Sequence, residues 1–153
     1  MFGPGDALFS MLAELARLLP ALPLIGGGHT RLQPVFVEDV AEAIVSILTD
    51  PATVGRTYEL AGPGVYTLRE LVRMTLHLMS KRRILIPVPF AVAEIQARLF
   101  ELLPNPPLTT GQVDLLKADN VTSGALPGLR ELKIQPKTVE EVVPTYIGTR
   151  APH

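Results

Sequence analysis

The residue types able to do chemistry in this chain are present but unpaired. The three phenols are Tyr58, Tyr66 and Tyr146, and the residues four positions after them are Gly62, Glu70 and Arg150. None has the lysine partner that would lower a phenol's pKa for proton transfer. Ser-His-Asp and G-x-S-x-G arrangements are missing as well. His29, His77 and His153 are too scattered for a metal cluster, and the chain has no cysteine to supply a thiolate, a disulfide or a soft ligand. Glu38 and Asp39 are adjacent acids. Neighbours on a helix point apart, so these two read as first-turn partners of a helix dipole rather than as a catalytic pair. The sequence thus predicts neither a catalytic residue nor a metal ligand.

Phosphate cradles are imitated three times, at Gly3-Pro4-Gly5, Gly26-Gly27-Gly28 and Gly62-Pro63-Gly64. Each supplies G-x-G, but the third glycine of the fingerprint is replaced by Leu8, Arg31 and Thr67 respectively. A dinucleotide site needs a strand, a tight glycine turn and a helix N-terminus together, because the pyrophosphate rests on the free amides of that helix. All three segments therefore read as turns.

The elements that would position any site follow from periodicity and caps. Asp6 is placed to cap a helix over residues 7–19, whose polar residues Ser10, Glu14 and Arg17 form one narrow stripe. Pro20 and Pro23 read as its end. A short strand is predicted over 32–36, a helix over 38–48 and a second strand over 57–61. Thr67 and Glu70 form a capping box that opens a helix to about Ser80. A strand over 83–88 and a helix over 90–103 follow, then a break at Pro104–Pro107 and a shorter helix over 110–118. Thr138 and Glu141 make a second capping box, with Pro144 set to shorten or kink the helix it opens.

This is a mixed, helix-rich α/β pattern, read as one domain over residues 1–153. No alternation of strands and helices is long enough for a complete doubly wound sheet. With 14 basic and 15 acidic residues and no basic run, nucleic acid is excluded as a partner. Mean hydropathy is +0.29, high for so small a unit. That value predicts apolar surface owed to something outside the chain: missing parts of the same protein, another subunit or a membrane surface. The first 28 residues lack a positive start, and Asp6, Glu14 and Arg17 interrupt their apolar stretch, so they read as neither a signal peptide nor a spanning helix.

Order and spacing say more than any single motif. Phe2-Gly3-Pro4-Gly5-Asp6 is followed by a helix and Leu24-Ile25-Gly26-Gly27-Gly28. Then come Gln33-Pro34-Val35-Phe36-Val37-Glu38-Asp39-Val40-Ala41, Tyr58-Glu59-Leu60-Ala61-Gly62-Pro63 and Thr67-Leu68-Arg69-Glu70-Leu71. This succession resembles the downstream part of extended or atypical short-chain dehydrogenases/reductases, over roughly residues 2–147. The nearest branch is the one containing the 39-kDa accessory subunit of respiratory complex I.

The resemblance implies the C-terminal, substrate-side portion of an NAD(P)-binding Rossmann-type protein, without the nucleotide-binding half. Family members carry the glycine fingerprint and the Y-x-x-x-K pair upstream of the G-P-G-D turn. No cofactor is therefore expected on this chain alone, and NAD(P)H is expected in the intact parent. Phe2 and Pro4 become candidates for the cofactor side, and Arg31 and Gln33 for the substrate side. In sugar-nucleotide members an arginine grips the diphosphate at the position of Leu32, so a nucleotide-sugar substrate is not implied. Expected partners are the missing Rossmann half, a second copy of the chain through its first helix, or a respiratory-complex or membrane-peripheral neighbour. Location is expected to be cytoplasmic, with attachment at the inner membrane as the alternative. An active NAD(P)-dependent epimerase or reductase and a protein- or membrane-docking module are the rival functions.

Overall fold

The computed structural model describes residues 1–102, 104 and 108–147. The predicted helix end at Leu103, the Pro106-Pro107 break, Arg150 and His153 lie outside them. The described chain forms two compact units. The first holds Met1–Ala13, Gln33–Val65 and the chain from Val121, and the second holds Glu14–Leu32 and Tyr66–Asn120.

The first unit is built around a minimal parallel pairing. Phe2 bridges Phe36, with Phe2 N–H donating to Val35 O at 2.8 Å and Val37 N–H donating to Phe2 O at 2.9 Å. The Phe2 ring packs edge-on against Phe9 and tilted against Phe36, 6.0 and 5.7 Å between centroids. Helix α2 (Val37–Thr49) follows at once, with Glu38 and Asp39 in its first turn. Its inner side places Val40 and Ala43 on a core with Val35, Leu60, Leu129, Leu132 and Ile134. The second capping box forms as predicted and opens α6 (Val139–Val142). Pro144 then begins a separate turn, α7 (Pro144–Ile147).

The second unit carries strands β1 (Ala21–Ile25) and β4 (Ile84–Val88), paired in parallel with Ala21 opposite Ile84 and Ile25 opposite Val88. Strand β1 overturns the reading of Pro20 and Pro23 as plain terminators. A strand with a single hydrogen-bonded neighbour tolerates proline, and Leu22 and Leu24 alternate into the core around the exposed Pro23. Strands β2 (Arg31–Leu32) and β3 (Tyr66–Thr67) form a short antiparallel pair, with Arg31 opposite Thr67. Helix α3 (Leu68–Leu78) starts on the predicted Thr67–Glu70 box and buries Leu68, Leu71, Val72, Thr75 and Leu76. Helices α4 (Phe90–Phe100) and α5 (Thr110–Leu115) meet through Ala93, Ala97 and Val113.

Two predicted strands are replaced. Residues 32–36 reduce to β2 and the single bridge at Phe36, because Gln33-Pro34 interrupts the ladder and Pro34 has no N–H to give it. Residues 57–61 form no strand, and Glu59 N–H is satisfied by Pro127 O instead. The first helix, α1 (Ala7–Leu18), has the predicted polar stripe, but Leu12 and Ala16 are already buried within the chain. Met11, Leu18 and Leu19 remain exposed, so α1 offers less uncovered surface than its pattern predicts.

Candidate functional site

The glycine turns come first, since any nucleotide would have to use them. At the first, Asp6 fills the turn: its carboxylate accepts from Gly3 N–H at 3.2 Å, Phe9 N–H at 2.7 Å and Ser10 N–H at 3.2 Å. Two of the free amides at the start of α1, those of Phe9 and Ser10, are thereby taken by the chain's own acid. The Tyr146 hydroxyl donates to the same carboxylate at 2.5 Å. Burial, then this bond and the nearby negative charge, push the Tyr146 phenol far above its ordinary value. It donates to Asp6, and both effects favour its protonated form.

At the second turn Gly26 lies under the Phe90 ring, where a Cβ would fall 2.3 Å from the ring. The Arg69 guanidinium reaches back to donate to Gly27 O at 2.8 Å. The third turn is closed from behind, since a Cβ on Gly62 would stand 1.9 Å from Pro34 O. Only glycine permits so close a backbone approach. All three glycine segments are thus occupied by contacts within the chain.

The four candidate residues separate. Phe2 is 1% exposed between its neighbouring rings, whereas Pro4 is exposed at the tip of its turn. Arg31 belongs to the second unit and is tied to Asp119. Its backbone N–H and its Nε each donate to that carboxylate at 2.8 Å. The backbone bond first, then the side-chain bond, hold the Asp119 carboxyl below the usual carboxylate range. Gln33 belongs to the first unit, where it acts as a bracket. Its amide nitrogen donates to Gly62 O at 2.9 Å, and its oxygen accepts from Thr122 N–H and Oγ1, both at 3.0 Å.

This bracket forms one wall of a cavity of about 300 Å3, which Glu59, Pro63, Arg130, Glu131 and Pro136 also line. Its acids are engaged with the chain. Glu59 accepts from Ser123 N–H and Oγ, and Glu131 accepts from Gly128 N–H at 2.7 Å, which lowers its carboxyl. The cavity can hold a ligand by hydrogen bonds, but it contains no paired acid and base. Among the described residues no three His, Asp or Glu side chains gather as a metal site.

Several of these partners were hidden from the sequence. Tyr146 meets Asp6, Thr122 meets Gln33 and Asp119 meets Arg31 across long stretches of chain that carry no local pattern. Asp39 goes further than its dipole role. It is buried and accepts from Lys137 N–H at 2.8 Å, pinning the approach to α6.

The chain is 34% identical over 146 residues to the mitochondrial "NADH dehydrogenase [ubiquinone] 1 alpha subcomplex subunit 9" of Arabidopsis thaliana, covering 89% of this chain and 36% of that protein. It is 35% identical over 142 residues to the Mus musculus protein of the same name, covering 92% of this chain and 37% of that one. The chain is homologous to this family of NADH dehydrogenase subunits. It spans little more than a third of their length. No family model matches it. A Staphylococcus aureus structure described as a nucleoside-diphosphate-sugar epimerase superposes with a TM-score of 0.65 over 95% of this chain and 49% of its own, at 20% identity. That likeness shows a shared mixed α/β fold. The expectation of a cytoplasmic location finds no support among these relatives, whose names are mitochondrial. No helix among the described residues is long and apolar enough to cross a membrane.

Proposed function

We propose that this chain is the substrate-side portion of an NAD(P)H-holding member of the NADH dehydrogenase subunit family, and that it captures no nucleotide by itself. The observation that carries this reading is the filling of the glycine turns: Asp6 takes the amides of Gly3, Phe9 and Ser10 at the first, Phe90 and Arg69 cover the second, and Pro34 backs the third. Cofactor capture then falls to a Rossmann half contributed by further chain. In that arrangement Pro4 stands toward the cofactor, with Phe2 fixing the turn that presents it. Gln33 is a substrate-side residue of the first unit and Arg31 a substrate-side residue of the second. The role is structural in this reading, because no tyrosine of the chain has a lysine four residues on to make it a proton donor and acceptor. The proposed setting is a respiratory assembly at the periphery of the inner membrane.

The test is to purify the complete product of the gene that encodes this chain, denature it and identify the small molecules released. NADH or NADPH near one equivalent is expected. A complete product that releases none, and takes up none when incubated with either, contradicts the proposal.

A further inference from the structure

Two segments far apart in sequence meet where β1 and β4 begin. Leu19 and Pro20 lead from α1 into β1, and residues 79–83 lead from α3 into β4. Ala21 stands opposite Ile84, and Ile84 N–H donates to Pro20 O at 3.4 Å. Arg83 Nε donates to Ala16 O, in the last turn but one of α1, at 2.9 Å. These bonds set the end of α1 beside the run Lys81-Arg82-Arg83.

This end of the second unit is basic and apolar at once. Arg17, Lys81 and Arg82 are exposed and make no ion pair among the described residues. Each of the two exposed runs also carries a large aliphatic side chain: Leu18 is 73% exposed and Ile84 is 70% exposed. Both α1 and α3 end here, and a helix C-terminus favours cations. Each terminus carries only about half a negative charge, however, against the four cations of this end. Glu14, one turn back from Arg17 on α1, is the one acid of the unit close by in sequence. The others are engaged elsewhere: Glu70 in the first turn of α3, Glu94 and Asp114 on Lys117, Glu101 on Thr110, and Asp119 on Arg31. A positive surplus therefore remains around two projecting aliphatic groups.

We propose that this end of the second unit, where Leu18 and Ile84 lie among Arg17, Lys81 and Arg82, docks the chain on an anionic lipid surface. Lipid phosphates match the cations, and the boundary between headgroups and acyl chains takes up the aliphatic side chains. Neutral lipid would leave the cations unmatched. An acidic protein would have to bring a pocket for each aliphatic group as well as the acids. Binding is measured without nucleotide or assembly, so this proposal and the proposed function fail separately.

Full-length chain is centrifuged with vesicles of phosphatidylcholine mixed with phosphatidylglycerol, and with vesicles of phosphatidylcholine alone. Strong binding to the mixed vesicles is expected, weakening with added salt. Lys81→Ala with Arg82→Ala should reduce it by about an order of magnitude or more, taking roughly fivefold per cation near the surface. Leu18→Ser with Ile84→Ser should weaken it by about tenfold or more, with circular dichroism still that of the parent because both side chains are exposed. Binding to neither vesicle, equal binding to both, or undiminished binding by the Lys81 and Arg82 variant overturns the proposal. So does capture of the chain by immobilised poly-glutamate when it ignores both vesicles, because an acidic protein would then be the partner.

Discussion

Replacing Tyr146 by phenylalanine isolates the contact that closes the first glycine turn. The substitution removes one hydroxyl and keeps the ring, so packing around the half-buried side chain changes little. What is lost is a 2.5 Å bond to the Asp6 carboxylate. Bonds to charged groups contribute about 1.5–3 kcal/mol. Asp6 keeps its backbone donors from Gly3, Phe9 and Ser10, so no orphaned charge is created. With partial solvent screening the expected loss is about 1–2 kcal/mol. For a chain of this size that lowers Tm by about 2–4 °C per kcal/mol.

Urea unfolding followed by far-ultraviolet circular dichroism gives the difference directly, with an unchanged m-value. A pH series adds a second signature. The folded phenol holds its proton above its ordinary value, so its contribution is complete below about pH 10 and is lost as the pH rises further. The gap between parent and variant should therefore close in strongly alkaline solution. A variant within about 0.5 kcal/mol of the parent at neutral pH would refute the reasoning.

Gly62→Ala should cost about 3 kcal/mol, the upper end for overpacking, because its Cβ would meet backbone at Pro34 O rather than a movable side chain; soluble yield and the urea midpoint report it. Thr67→Ala removes the cap of α3 and should cost about 1 kcal/mol in the same assay, with Glu70→Ala only partly additive to it because the two share one box. Acid should weaken the chain through Glu70, Glu101 and Glu141. Bonds from Thr67, Thr110 and Thr138 lower each carboxyl below its ordinary 4.5. Their contribution is complete above about 4.5 and is lost as the pH falls through the lower folded values, so the urea midpoint should drop on acidification through that range.

Local chemistry was readable at several places where the chain satisfies itself within one turn. The predicted capping boxes at Thr67–Glu70 and Thr138–Glu141 and the cap at Asp6 are determined by residues three positions apart, and a third box of the same kind, Thr109–Gln112 at the start of α5, was missed. The helices followed for the same reason, to within a few residues of their ends. The strands were harder, because a strand exists only when a distant partner pairs with it. Ala21–Ile25 contains a proline and looks like a terminator until Ile84–Val88 lies beside it. Residues 57–61 have strand-like side chains but form no ladder, with a single backbone bond from Glu59 N–H to Pro127 O. The site shows the same division. That the glycine turns lack the third fingerprint glycine is visible in the sequence. What fills them is not, since Tyr146, Phe90 and Pro34 come from far along the chain.

We infer that this chain, a homologue of NADH dehydrogenase subunits, has no nucleotide seat of its own. Calorimetric titration of the purified chain with NADH, and separately with NADPH, tests it most directly. The expected trace shows only heat of dilution with both nucleotides. Saturable binding with a micromolar Kd, weakened by Pro4→Ala or by a bulky residue at Gly27, would contradict it and return the glycine turns to the role of a phosphate cradle.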